Sequence, residues 1–495
     1  MTITVSSAVS YTLAAAEDNL ILTGAANING NGNALANKID GNTGANLIKG
    51  LGQADILSGF DGNDTIYAGD VGSVDALYVD TLYGGNGADV LYADGQDYLY
   101  GDADNDILHG EFGGNNLLQG GVGNDSYYVS ANNSIINELP GAGIDTVYSS
   151  DTIALNGTLP VAGATLVSGE VENLTLTGTA NINGIGNNLV NTIKGNSGAN
   201  VLSGGLGNDT IYGYDGDDKL YADAAGVGVT ADADWLYGGN GNDILYGNGN
   251  DKLFGDAGND TFIVIGGQNM VVDSGGIDIV KSAVSFSLTY TADPAASWAS
   301  GGIETLELTG AANIYGFGDI NSNVIYGNNA NNQLDGKGGN DTLDGRAGND
   351  VLQIGSDSGG VSGATTLLGG ADADLFWIGK GYLGDHSSGA NQLTLGDFTS
   401  GVDHIRFGID LTATAPTALG TTPVYAFDTL AMVLDRAAGG LGSPTNPTIK
   451  KFEFAGDTYL VLDQSTAIVF SASDLAIKIT GTPGVVLSDL VFDLV

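Results

Sequence analysis

One carboxylate recurs at the same place in a glycine-rich nonapeptide, two residues before a Leu, Ile, Tyr or Phe. It is Asp55, Asp64, Asp89, Asp106, Asp125, Asp209, Asp218, Asp243, Asp260, Asp341 and Asp350. Copies with shortened or degraded flanks add Asp80, Asp97, Asp234, Asp251 and Asp374 at this sixth position. Gly84-Gly85-Asn86-Gly87-Ala88-Asp89-Val90-Leu91-Tyr92 and Gly238-Gly239-Asn240-Gly241-Asn242-Asp243-Ile244-Leu245-Tyr246 are clean examples. Carboxylates in a column, beside glycine turns that leave backbone carbonyls accessible, form an oxygen-only donor set. Their chemistry is the coordination of a hard cation.

Such a column needs elements that stack. Two positions after each Asp lies an apolar residue, as in Ile39, Ile48, Leu57, Ile66, Leu82, Leu91, Leu99 and Leu108. One inward residue flanked by outward ones predicts a strand of about three residues. Glycine before it permits the positive φ of a tight turn. Turn, strand, turn, strand makes one coil from two nonapeptides, and so short a self-similar period predicts a solenoid. The fold class is all-β, a right-handed parallel β-roll.

Three long units align, opening at Asn19-Leu20-Ile21-Leu22-Thr23-Gly24, Asn173-Leu174-Thr175-Leu176-Thr177-Gly178 and Thr305-Leu306-Glu307-Leu308-Thr309-Gly310. Each begins with Asn at the sixth position (Asn37 and Asn46, Asn191 and Asn200, Asn323 and Asn332) before changing to Asp. An amide is a weak cation ligand but can hydrogen-bond along a stack, so the Asn coils read as metal-poor lead-ins. The expected organisation is a first module over 1–128, a second over 129–263 and a third over 264–377. A small β cap follows over 378–495, where Lys451-Phe452-Glu453-Phe454 and Thr458-Tyr459-Leu460-Val461-Leu462 alternate as antiparallel strands do. Segments 129–180 and 264–314 lack the glycine punctuation but carry β-favouring runs and are expected to continue the coil.

The chain has 495 residues, a formal charge of −44, only 14 Lys plus Arg, and no Cys. Nothing basic is clustered enough to meet phosphates, so nucleic acid is excluded as a direct partner. No apolar run is long enough for a membrane-spanning helix. The N-terminal residues lack the basic start and apolar stretch of a cleaved secretory signal. Coils about 4.8 Å apart bring Asp64, Asp89 and Asp106 into one row and Asp55, Asp80 and Asp97 into another. Two unit charges at that distance repel by roughly 3.5 kcal/mol at an effective dielectric of about 20. A cation between coils turns repulsion into attraction. Calcium suits the donors, since it takes six to eight flexible oxygen ligands whereas zinc favours His and Cys. Folding is then coupled to binding.

These nonapeptides resemble those of the RTX, or hemolysin-type calcium-binding, family, over roughly residues 30–377. The resemblance implies parallel β-rolls with calcium between turns, and type I secretion from Gram-negative cells through an uncleaved C-terminal signal. Leu395-Gly396-Asp397-Phe398-Thr399-Ser400-Gly401-Val402-Asp403-His404-Ile405 resembles the cap of serralysin-type proteases, and Phe492-Asp493-Leu494-Val495 their terminus. It implies an extracellular or cell-surface location.

Family membership assigns no activity. The chain lacks His-Glu-x-x-His and Gly-x-Ser-x-Gly, and its histidines, His109, His386 and His404, read as strand or cap residues. Tyr67, Tyr83, Tyr92, Tyr100, Tyr212, Tyr221, Tyr237 and Tyr246 recur at the ninth position and predict outward aromatic rows. Cross-strand stacking is one reading of them, and a surface for glycans or another copy is the other. The expected function is non-enzymatic: a secreted, self-assembling structural protein of S-layer or matrix type. An adhesin or glycan-binding protein is the alternative, and a polysaccharide-modifying enzyme a third reading.

Overall fold

The computed structural model describes residues 2–69, 77–130, 133–157, 165–224, 232–290, 293, 296–355, 365–379, 393–407, 419–421, 448–463, 475–480, 484–486 and 489–492. Most of both inserted loops (68–79 and 222–233), His386 and Asp493 to Val495 lie outside them. Among the described residues there is no α-helix, and hence none long and apolar enough to cross a membrane. The chain forms two compact units that divide at Tyr246 and Gly247.

In the first unit, parallel strands stack one coil upon the next as a β-roll. One face runs Lys38–Asp40, Ile56–Asp61, Thr81–Asn86, Tyr98–Ala103 and Leu117–Val122. The other runs Leu47–Lys49, Thr65–Tyr67, Val90–Tyr92, Ile107–His109 and Ser126–Val129. Register follows the predicted apolar column: Ile39 pairs with Leu57, Leu57 with Leu82, and Leu82 with Leu99. Each of these side chains is fully buried. Burial of a Leu or Ile contributes about 1.5–3 kcal/mol, and a three-residue strand points only its middle side chain inward. The core is therefore a thin wall of single residues between two ladders.

The segment without glycine punctuation does continue the coil. Strand Thr146–Ser149 pairs with Ser126–Val129 before it and Asn173–Leu176 after it, so one face is unbroken. The opposite face changes over: one sheet ends at Leu166–Ser168, and a new one starts at Ile153–Ala154 and proceeds through Asn183–Ile185 and Val201–Ser203.

The second unit is built the same way. One ladder runs Thr261–Val264, Asp278–Ser282, Ile303–Leu308, Val324–Tyr326, Thr342–Asp344, Thr366–Leu368 and Leu393–Leu395. At its C-terminal end, Thr448–Phe454, Asp457–Asp463 and Leu475–Ile479 pair antiparallel, as the alternation of their residues predicts. This hairpin is not a detached lid. Leu393–Leu395 pairs in parallel with Leu475–Ile479, so one face of the roll runs into it, while the other face continues from His404–Phe407 onto Leu490–Phe492.

The turns impose positive φ at the second and fourth nonapeptide positions. Gly85 and Gly62 take φ of 110° and 124° there, and Phe60 and Tyr214 hold φ of 74° and 77° at the second position with a side chain present. A Cβ is disfavoured in this region by about 1 kcal/mol or more, which explains the preference for glycine.

Candidate metal centre

Each sixth-position Asp sits where a turn enters a strand, at the edge of the roll. All sixteen carboxylates of the sequence reading are buried, Asp80 at 5 % exposure being the most accessible of them. They are bound into rows by the backbone. The Asp64 N–H donates to Asp89 Oδ1 at 2.6 Å, Asp89 N–H to Asp106 Oδ1 at 2.8 Å, and Asp106 N–H to Asp125 Oδ1 at 2.7 Å. The second row runs from Asp55 N–H to Asp80 Oδ1 at 2.6 Å, and from Asp80 N–H to Asp97 Oδ1 at 2.9 Å. Later coils repeat this, with Asp209 to Asp234, Asp218 to Asp243 and Asp350 to Asp374. Asp251 instead donates to Asn269, and Asp260 to Asp278. Asp341 donates to the Thr365 hydroxyl.

In most of these carboxylates one oxygen is thus satisfied by an amide of the neighbouring coil. Asp97 and Asp251 spend Oδ2 on amides of their own turn, from Asp94 and Gly95 and from Asn248 and Gly249. In nine others, Asp55, Asp64, Asp89, Asp106, Asp125, Asp209, Asp218, Asp350 and Asp374, Oδ2 is buried and receives no donor. An unsatisfied buried acceptor costs about 1–3 kcal/mol, more when charged. These oxygens face a space kept open by glycine. A methyl group on Gly59 would overlap Asp64 Oδ2 and the Gly84 carbonyl oxygen one coil on, and a methyl on Gly101 would overlap Asp106 Oδ2 and the Gly120 carbonyl oxygen. Carboxylate and carbonyl oxygens thereby converge on one gap per turn. Such donors fit calcium, whose charge compensates the orphan oxygens. We expect Gly59→Ala to lower the calcium-bound stability by about 1–3 kcal/mol through overpacking, read as a lowered urea midpoint in saturating calcium. A control, Gly302→Ala, likewise lacks a left-handed φ and would bring the added methyl only into ordinary contact with Glu304, so it reports the loss of glycine without overpacking.

Burial also moves the titration of these groups. Desolvation raises Asp55, Asp89 and Asp209 to about 7, Asp80 and Asp106 to about 8, and Asp64, Asp125 and Asp218 to about 6, with the backbone amide pulling the other way. A buried carboxylate lacking a counter-charge holds its proton more tightly.

The Asn coils solve the same geometry without charge. Asn46 Oδ1 accepts the Asn42 N–H at 2.8 Å and its Nδ2 donates to the Ile28 carbonyl at 2.8 Å. Asn200 does likewise with Asn196 and Ile182. Both ends of the amide are occupied, as a metal-poor lead-in requires.

Further acids join the sites from beyond the repeat pattern. Asp80, Asp94 and Asp97 place one carboxylate oxygen each within 4.8 Å of one another, as do Asp125, Glu138 and Asp145, and Asp260, Asp273 and Asp278. Asp145 and Asp278 were legible in the sequence, since Gly143-Ile144-Asp145 and Gly276-Ile277-Asp278 keep the Gly-x-Asp core of the repeat. Rows also end on acids that precede module openings: Asp145 N–H donates to Glu172, and Asp278 N–H to Glu304. The signal for these was the acid standing just before Asn173 and Thr305.

The ninth-position rings form the predicted outward rows. Tyr67, Tyr92, His109, Tyr128 and Tyr148 stack face to face, with centroids 4.3–4.7 Å apart. His109 is half-buried within this column rather than exposed, its Nδ1 2.9 Å from Glu111. Each inner ring spends both faces on its neighbours.

No curated protein matches the sequence. The family described as RTX calcium-binding nonapeptide repeat (4 copies) matches residues 40–71, 78–108, 93–115, 113–136, 185–224, 229–262 and 317–352. These are the coils whose carboxylate rows, orphan oxygens and glycine-kept gaps are described above. Over these residues the chain therefore carries RTX calcium-binding nonapeptide repeats, and it is through them that it binds calcium.

Proposed function

We propose that this protein is a secreted, non-catalytic structural protein of the cell surface. Its rolls fold on calcium outside the cell and then assemble into an S-layer-like lattice or matrix. The observation that carries the reading is the first rung of the ladder. Strand Thr4–Ser7 pairs with Asn19–Leu22 on one side, and no strand among the described residues covers its other side. In a chain of charge −44, the first sixteen residues carry no charged side chain. Open strand edges are normally blunted by charge or proline because they template pairing with another chain. This edge has neither, so it suits docking on a second copy. Calcium-gated folding supports a protein that must stay unassembled until it meets calcium outside the cell, and the carboxylate rows need a divalent cation at neutral pH.

The adhesin reading is weaker. Sugars stack on exposed ring faces, and in the longest row, Tyr67 to Tyr148, the inner rings have those faces paired with one another. The test is electron microscopy of purified protein with and without calcium. Ordered sheets or filaments are expected only with calcium, and Thr4→Asp combined with Ser6→Asp should abolish them while leaving the calcium-bound β spectrum intact. Particles that stay monomeric at every calcium concentration would refute assembly.

A further inference from the structure

Just past the 229–262 repeat run, an acid stands where the repeats carry glycine. Gly255 opens the nonapeptide whose sixth residue is Asp260 and whose ninth is Ile263. One coil on, the residue in the place of Gly255 is Asp273, beyond the residues that the family matches. Asp273 is 5 % exposed and its Oδ2 accepts the Gly275 N–H at 2.7 Å. Its Oδ1 receives no donor and points into the gap beside Gly255, where an added methyl would meet Asp260 Oδ2, Asp273 Oδ1 and the edge of the Phe262 ring. Asp278, 1 % exposed, closes the third side. Its Oδ1 accepts the Asp260 N–H at 2.7 Å, and its Oδ2 likewise has no donor.

We propose that Asp260, Asp273 and Asp278 form a three-carboxylate calcium site that closes this roll, distinct from the repeat sites in drawing its third charge from the first turn position. The two orphan oxygens on Asp273 and Asp278 are the independent sign of a ligand, since ionised buried carboxylate oxygens cannot satisfy each other. The donor set is oxygen only and charged −3, which selects a hard divalent cation over zinc. Charge count tunes calcium affinity, so this site should fill before the two-carboxylate gaps. The earlier roll end shows the alternative solution. Glu138 follows Asp125 by the same thirteen residues as Asp273 follows Asp260. There the Tyr127 hydroxyl donates to Glu138 and accepts the Gly120 N–H, so a phenol occupies the space beside the glycine. The Phe262 ring reaches the same place beside Gly255 in the later roll, but without a hydroxyl it gives neither Asp273 nor Asp278 a donor.

The site requires only that the repeats bind calcium, not that the protein assembles. The test is a calcium titration of the decalcified full chain, followed with a competing chelator and by ion counting after dialysis. It compares the native protein with Asp273→Asn and with Asp273→Gly, which restores the repeat residue. Each variant should fold in saturating calcium and either bind one ion fewer or show one of its tight steps weakened at least about tenfold. An unchanged ion count with every tight step unchanged in either folded variant would overturn the site, leaving a proton shared between Asp273 and Asp278 as the explanation. Absence of calcium binding by the native chain would overturn the repeat chemistry as well, so the two failures are distinguishable.

Discussion

Stripping calcium at pH 8 is expected to unravel the rolls, and acidifying the stripped protein to about pH 5 to restore much of its β structure. The sign follows from the carboxylates. In the folded chain without metal, Asp55, Asp80, Asp89 and Asp106 hold protons up to about pH 7 or 8 because they are desolvated. Unfolded, an Asp ionises near pH 3.9. Between those limits the folded state binds more protons, so stability falls as pH rises, the reverse of the usual salt-bridged carboxylate. The loss begins above about pH 4 and is complete by about pH 8. Calcium reverses the trend, since its affinity grows as these groups ionise. Far-UV circular dichroism across pH 4–9, with chelator and with calcium, checks both arms. A stripped chain equally ordered at pH 5 and pH 8 would contradict the coupling.

Replacing Asp64 by Asn is expected to weaken calcium binding at its edge while making the metal-free roll more stable at neutral pH. Asn46, one coil earlier in the same row, shows why: its amide supplies an acceptor and a donor, and both are used. Asp64 leaves Oδ2 without a donor. The amide removes a buried charge and an orphan acceptor, a gain of about 1–3 kcal/mol without metal. Asp64→Asn should therefore shift the urea midpoint up in chelator and down in calcium. A substitution that lowers stability in both conditions would mean that the carboxylate does more than hold a cation.

The alternation of glycine, Asp and one apolar residue made the roll readable before any coordinates. Ile39, Leu57 and Leu82 pair as that period requires, because a strand with one inward residue has a single workable register. The switch from Asn to Asp likewise marked the change from self-satisfied to cation-requiring coils. Less legible was how the charge is shared. The repulsion between stacked carboxylates was foreseen, but not the amide of one coil bonding to Oδ1 of the next, as between Asp64 and Asp89. That bond depends on the stacking offset of two coils, which no local pattern encodes.

Identity and period alone determined the strands, their inward residues, the preference for an oxygen-loving cation and the kind of repeat. Only the folded chain decided which acids share a gap. Asp94, Glu138 and Asp273 lie off the sixth position, and they reach the rows because a shortened turn or the end of a repeat run carries them there. Spacing along the chain dictates what repeats. Proximity between residues of successive coils is set by how each turn closes, and that is a property of the assembled ladder.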